Sequence, residues 1–296
     1  MTAAQSVAPD TDVDGDPAEA RTPRNWRPAL WVLPPVAVVV VIAVYPLIRV
    51  LTSSAQGTGN STWSSVLTSE IFRRSLVTTA QIAVASTAGC LVLGAFLAVV
   101  LGFVPFPGSR LVARMIDTVL ALPSFLITLA FTFLYGTAGA VNALADNLIG
   151  ARPLNFLTTP WGVIAAEITF FTPFVVRPLL ASFAMLSADQ LNVAASLGAS
   201  PWRTLRSVIL PEAWPALMAG GSLVLLLTLN EFGIVLFTGA KDVTTLPVLI
   251  YTRGIVTFDL PGAAVIATAQ VALSLLLYGG YRLAFARLMT TRKVKP

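Results

Sequence analysis

The sequence predicts an all-α, polytopic membrane protein of about six transmembrane helices. Three observations carry this. The 296-residue chain is 56% hydrophobic and only 11% charged, whereas soluble domains hold about 25% charged residues. Four long stretches carry no charge at all. Arg27 to Arg49 encloses 21 uncharged residues, Arg74 to Arg110 encloses 35, Asp117 to Asp146 encloses 28 and Asp259 to Arg282 encloses 22. A helix needs about 20 apolar residues to cross a bilayer, so each stretch is long enough. The third observation is an uneven distribution of Lys and Arg between the two sets of predicted loops, the signature of membrane topology.

Taken in order, residues 1–20 hold five acids (Asp10, Asp12, Asp14, Asp16, Glu19) and no base. Residues 1–25 read as a disordered acidic cytoplasmic tail. They lack the basic start and apolar core of a signal peptide, so the first span is expected to be an uncleaved anchor. The membrane domain covers 26–290, with spans expected at 29–49, 76–103, 113–135, 161–186, 214–237 and 263–287. A basic cytoplasmic tail, 291–296, closes the chain with Arg292, Lys293 and Lys295. With both termini inside, the inner pieces hold 12 bases and the outer pieces 6. This predicts a multi-pass protein of the cell (plasma or inner) membrane with both termini cytoplasmic. Arg73 and Arg74 fall on the outer side, against the trend. No internal repeat relates the two halves, so a two-fold pathway requires a second chain.

Segments 50–75, 136–160 and 238–262 are expected as outer connections, and 104–112, with Pro105, Pro107 and Gly108, as a tight inner turn. The inner segment 187–213 is richer. A short helix is expected over 189–197, ended by a left-handed cap at Gly198. Ser200-Pro201 then supplies an N-cap oxygen and a first helical proline. Trp202, Leu205 and Ile209 recur at helical spacing, with Arg203 and Arg206 on another face. Pro211 is expected to open the next span. Two short helices around a glycine joint exceed what a connector needs, so this segment is read as a docking element.

Several chemistries are excluded. With no histidine and a single cysteine, Cys90, the chain has no imidazole base, no cysteine-rich zinc site and no disulfide framework. A Gly-x-x-x-x-Gly-Lys-Ser/Thr phosphate loop is absent, so the chain is not an ATPase of that type. No catalytic residue set, metal site or nucleic-acid motif stands out, and no cofactor is expected in this chain.

Three ionisable groups fall well inside expected spans, away from their ends: Glu167, Arg177 and Glu231, the last beside Asn230. Such groups line a cavity or pair with one another. The two carboxylates are expected at similar depth in the outer half. Arg177 is expected ~15 Å deeper, at 1.5 Å per residue, between Pro173 and Pro178. Two readings stand side by side. The groups line the substrate pathway, or Glu231 caps a neighbouring helix and Arg177 satisfies carbonyls freed by the prolines.

The segment from Asn192 to Gly198, with Ala194 and Ala195 inside it, followed by nine residues and Val208-Ile-Leu-Pro211, resembles the EAA loop of ABC importer permeases. Ala194, Gly198, Leu210 and Pro211 match in register, while Asn192 replaces the family glutamate. Thr228-Leu-Asn-Glu-Phe-Gly233 resembles an element of the sulfate, molybdate, iron and polyamine branch. Ala121-Leu-Pro-Ser-Phe-Leu-Ile-Thr and Pro215-Ala-Leu-Met-Ala-Gly-Gly-Ser222 resemble the 2-aminoethylphosphonate branch.

The resemblance implies the type I importer permease fold. It implies docking of cytoplasmic ATP-binding subunits, which hold ATP and Mg, on Asn192, Ala194, Ala195, Gly198, Trp202, Arg203, Arg206, Leu210 and Pro211. It also implies a second permease chain, the same or different, and an extracytoplasmic solute-binding protein. The solute it implies is a small polar one, 2-aminoethylphosphonate first and sulfate, molybdate, ferric iron or polyamine next. An ion-coupled secondary transporter using Glu167 and Glu231 is the reading from another class.

Overall fold

The computed structural model describes residues 27–55, 61–151, 156–241 and 243–293. The expected acidic tail, Arg152 and Lys295 lie outside the described residues. The chain divides into two units, one up to Ile48 and one from Arg49. The first holds most of α1 (Arg27–Ala55), a 29-residue helix over the first expected span.

Within the second unit, α2 (Ser61–Thr68) leads into the 34-residue α3 (Glu70–Phe103). Ser69 caps α3 by accepting the Phe72 amide at 3.4 Å. The helix then presents a small-residue face every fourth position. Ser86, Cys90, Gly94 and Ala98 are all buried, the spacing that stacks residues on one face. Small residues let helices approach closely in a membrane, where apolar burial itself drives little. Here α3 meets α7 (Pro160–Phe171) and α8 (Pro173–Ala184). A Cβ at Gly94 would stand 2.7 Å from Val175 Cβ. Gly94→Ala is therefore expected to cost about 1–3 kcal/mol of overpacking, read as a lower thermal midpoint in detergent.

Helices α7 and α8 form one rod. Thr172 is helical, and its carbonyl accepts the Val175 and Val176 amides at 2.9 and 3.1 Å. The Thr172 carbonyl is therefore not one that the prolines free. The carbonyl that Pro178 leaves without its usual partner is that of Phe174, four residues earlier. Gly220 lies against it: a Cβ there would be 3.1 Å from Phe174 O. Glycine at 220 lets α11 (Leu210–Leu229) close on α8. Helices α3, α8 and α11 share the main apolar core, which includes Val175, Val176, Leu179 and Val224.

The third expected span is corrected. Residues 109–120 form a separate amphipathic helix, α4 (Ser109–Leu120), with no buried residue. Pro123 cannot continue it, since proline disfavours a helical residue before it and lacks an amide. The apolar segment starts at Ser124, where α5 (Ser124–Tyr135) runs to a Gly136–Gly139 turn and α6 (Ala140–Ile149). The last two outer connections also hold helices, α6 and then α13 (Leu246–Tyr251). The final helix, α14 (Leu260–Lys293), is capped by Asp259, whose Oδ1 accepts the Gly262 amide at 2.9 Å and whose Oδ2 pairs with Arg253 at 3.1 Å. Among the described residues, five segments are long and apolar enough to cross a membrane: 70–103, 124–149, 160–184, 201–229 and 260–287.

Candidate functional site: a jointed inner loop and a buried polar core

The jointed loop forms as the sequence predicts in its first half. Helix α9 (Ala188–Ser196) is capped by Ser187, which accepts the Gln190 amide at 3.3 Å. It ends in a paired-bond motif around Gly198, whose φ is +72°. The Ala199 amide reaches Ala194 O at 3.0 Å and the Gly198 amide reaches Ala195 O at 2.9 Å. These two bonds satisfy carbonyls the helix end would otherwise leave open. Ser200 then accepts the Arg203 amide at 3.4 Å and starts α10 (Pro201–Thr204).

The second half differs from expectation. Pro211 does not open a new span. One continuous helix runs from Pro201 to Leu229, through a wide turn at Leu205–Ile209 where the Leu210 amide bonds to Leu205 O. That i→i−5 turn offsets the chain just before a proline that cannot make the ordinary bond.

Trp202, Leu205 and Ile209 are not alike in burial. Leu205 and Ile209 turn to the core, but Trp202, one turn earlier, is 68% exposed. The helix start projects beyond the core, which leaves Trp202 on the surface expected to dock a partner. Val193 and Leu197 are exposed as well. With Asn192, Ala195, Arg203, Arg206 and Pro211, also exposed, they make a mixed apolar and basic surface. Ala194 and Leu210 are half-buried. Beside this surface, Asp189, Val193, Ser207, Pro211 and Glu212 line a cleft of about 440 Å³.

The second cluster lies within the spans. Glu167 on α7 is wholly buried, and neither carboxyl oxygen has a hydrogen bond of standard geometry. Its polar neighbour is Ser86, whose hydroxyl likewise lacks one. Glu231 lies within electrostatic reach of Glu167, but it is occupied. Its Oε1 accepts the Ile234 amide at 2.8 Å and the Ser124 hydroxyl at 3.1 Å. Glu231 thereby caps α12 (Gly233–Thr238) and ties it to the start of α5. Asn230 donates to Leu226 O at 2.8 Å from an exposed position.

Arg177 stands elsewhere. It pairs with Asp117 on α4 and donates to Ala113 O at 3.5 Å. The structure thus leaves Glu167 and Glu231 within electrostatic reach of each other and pairs Arg177 elsewhere. Sequence reasoning missed Ser86, Asp117 and Ser124. Asp117 carried one signal, as the charge that opens a long uncharged run.

Glu231→Ala is expected to lower stability by about 1–3 kcal/mol, because it strands a buried amide and a hydroxyl. Glu231→Gln keeps an acceptor oxygen in place and should melt near wild type. Thermal unfolding of the two variants checks this.

Comparison with known proteins bears on the family. The family described as "Binding-protein-dependent transport system inner membrane component" matches residues 90–290. A Salmonella typhimurium protein named as a 2-aminoethylphosphonate transport system permease, PhnU, is 48% identical over 269 residues, 89% of this chain and 94% of its own length. The sulfate transport system permease protein CysT of Escherichia coli K12 is 30% identical over 244 residues, 81% of this chain and 85% of its own length. A solved bacterial alginate ABC transporter, in complex with alginate pentasaccharide-bound periplasmic protein, matches with TM-score 0.78 at 19% identity, over 90% of this chain and 96% of that chain. An inward-facing MetNI methionine ABC transporter matches with TM-score 0.53 at 18% identity, over 77% of this chain and 100% of that chain. At these identities the structures share the fold. This chain belongs to the binding-protein-dependent transport system inner membrane components, the permease subunits of ABC importers.

Proposed function

We propose that this permease carries 2-aminoethylphosphonate across the cell membrane, driven by ATP that a separate chain hydrolyses. The observation that carries the solute is the 48% identity to PhnU, spread over 89% of this chain, against 30% to the sulfate permease. In this reading both termini face the cytoplasm, as the 12 inner against 6 outer bases favour. Cytoplasmic ATP-binding subunits, holding ATP and Mg, seat on the exposed face of 187–211. Val193, Leu197 and Trp202 give that face apolar area for a partner to cover. Arg203 and Arg206 add charge for an acidic partner. A second permease chain completes the pathway, and an outer binding protein delivers the solute. Glu167, Asn230 and Glu231 are the pathway candidates. Arg177, already paired with Asp117, acts instead in holding α4 to α8.

The test is uptake of labelled 2-aminoethylphosphonate by cells lacking the chain and by the same cells complemented with it. Restored uptake, competed by unlabelled 2-aminoethylphosphonate and not by sulfate, is the expected result. Competition by sulfate alone would sink the solute assignment.

A further inference from the structure

Helix α4 has no buried residue, and its tie to Arg177 uses only one of its sides. Its place is set by its neighbours. Residues 104–108 join it to α3 and residues 121–123 join it to α5. Both of those helices belong to segments long and apolar enough to cross a membrane. Five extended residues reach at most about 18 Å, so α4 stays at the membrane boundary. Gly108, with a φ of +92°, turns the chain into it. In the proposed orientation this boundary is the inner one.

The helix is two-sided. At about 100° per residue, Ala113, Ile116 and Asp117 share the side that meets the bundle. All three are half-buried. Arg177 of α8 donates to Ala113 O at 3.5 Å and pairs with Asp117. Leu111 and Met115, one turn apart, fall on the far side and are 62% and 63% exposed. Arg110 and Arg114, also one turn apart, border them and are exposed. Among the described residues, neither arginine is in an ion pair.

An apolar stripe with a basic border is the pattern of a helix lying between headgroups and acyl chains. Charge selects the lipid. The inner leaflet surface is negative where these arginines are positive, and a guanidinium fork matches phosphate oxygens. We infer that Arg110 and Arg114 hold the phosphate of an anionic phospholipid of the inner leaflet, with Leu111 and Met115 among its acyl chains. The Asp117–Arg177 pair fixes the roll of α4, so the stripe faces the bilayer and not the bundle. The inference rests on the proposed function for the orientation alone, and not for the solute.

The test uses the assembled transporter, permease with its ATP-binding subunits, in vesicles of phosphatidylcholine. Met115→Cys carries a fluorescent label, and the native Cys90 is fully buried and takes none. Spin-labelled phosphatidylglycerol or phosphatidylcholine is added in small amounts as the quencher. Both should quench the label. Phosphatidylglycerol should associate about 25-fold more strongly, at about fivefold for each arginine near a negative surface. Arg110→Gln with Arg114→Gln should bring the two lipids within about twofold of each other. Arg110→Lys with Arg114→Lys should keep most of the preference, because a net charge on the headgroup attracts either cation. Arginines that serve only the fold would leave the ratio unmoved in both variants.

Equal quenching by the two lipids in the Met115→Cys protein overturns the lipid site. So does the absence of quenching by either, which would mean that another chain covers this face. A membrane-impermeant thiol reagent should not reach Ser109→Cys in intact cells. Labelling there from outside would overturn the orientation and the inner-leaflet placement together. None of these readouts involves the solute, so a failure of the 2-aminoethylphosphonate assignment is seen separately, in uptake.

Discussion

Gly198→Val is expected to reduce ATP-driven uptake by at least about tenfold while leaving the protein inserted in the membrane. Gly198 has a φ of +72°, a conformation that a β-branched residue adopts only at a cost of about 1–3 kcal/mol. A Cβ there meets nothing within 4 Å. The damage is therefore conformational and confined to the joint, and no core contact is lost. To relieve it, the chain must give up the bonds from Ala199 to Ala194 and from Gly198 to Ala195. Helix α9 then changes direction relative to α10 and to the long helix beyond it. A motion delivered to α9 no longer reaches the spans. Asparagine tolerates the left-handed region, so Gly198→Asn should transport near the wild-type rate. Uptake and ATP hydrolysis per transporter, measured together, decide the matter. Normal uptake in the valine variant would refute the role of the joint.

Glu167→Leu is expected to move stability and transport in opposite directions. The wild-type carboxyl is wholly buried and neither oxygen has a hydrogen-bond partner. Burying such a group opposes folding, and an apolar side chain of similar size removes the penalty. The thermal midpoint in detergent should rise, corresponding to about 1–3 kcal/mol. Uptake should fall by about tenfold or more. In the proposed pathway role, Glu167 acts when α3 and α7 part and the carboxyl meets water or solute. The loss of one charge-assisted contact to an ammonium is enough for the stated fall. A stabilised variant with full uptake would remove Glu167 from the pathway. A destabilised one would mean that the carboxyl has a partner in the assembled transporter.

The two variants draw on features that differ in how legible they were. The joint at Gly198 is local: a glycine nine residues after a short polar helix begins, and a Ser-Pro start two residues later, are fixed by neighbours in the chain. The environment of Glu167 is not local. Ser86, which faces it, is 81 residues away in sequence, and no periodicity links them. The same holds for Arg177, whose partner Asp117 sits on a helix that sequence reasoning merged into a span.

That merger shows a second limit. Residues 118–145 carry no charge, yet Pro123 divides them, because apolarity sets solvent preference while proline sets continuity. Pro211 shows the reverse. It looks like a helix start, but a wide turn over Leu205–Ile209 carries the helix past it. Trp202 shares a helical face with Leu205 and Ile209 by spacing, but only those two reach the core, since spacing defines a face and not how far the core extends along it. Glu231 is the case where both readings of an intramembrane charge keep force: it caps α12, and it lies within electrostatic reach of the Glu167 carboxyl.

In the proposed function, this permease moves solute only when ATP is hydrolysed by a partner seated on residues 187–211. The most direct measurement is 2-aminoethylphosphonate uptake into proteoliposomes holding the permease and its ATP-binding subunits, with liganded binding protein outside. Uptake is expected to need ATP, to survive a protonophore that collapses ion gradients, and to disappear in Gly198→Val. Uptake that persists without ATP and collapses with the protonophore would contradict the account.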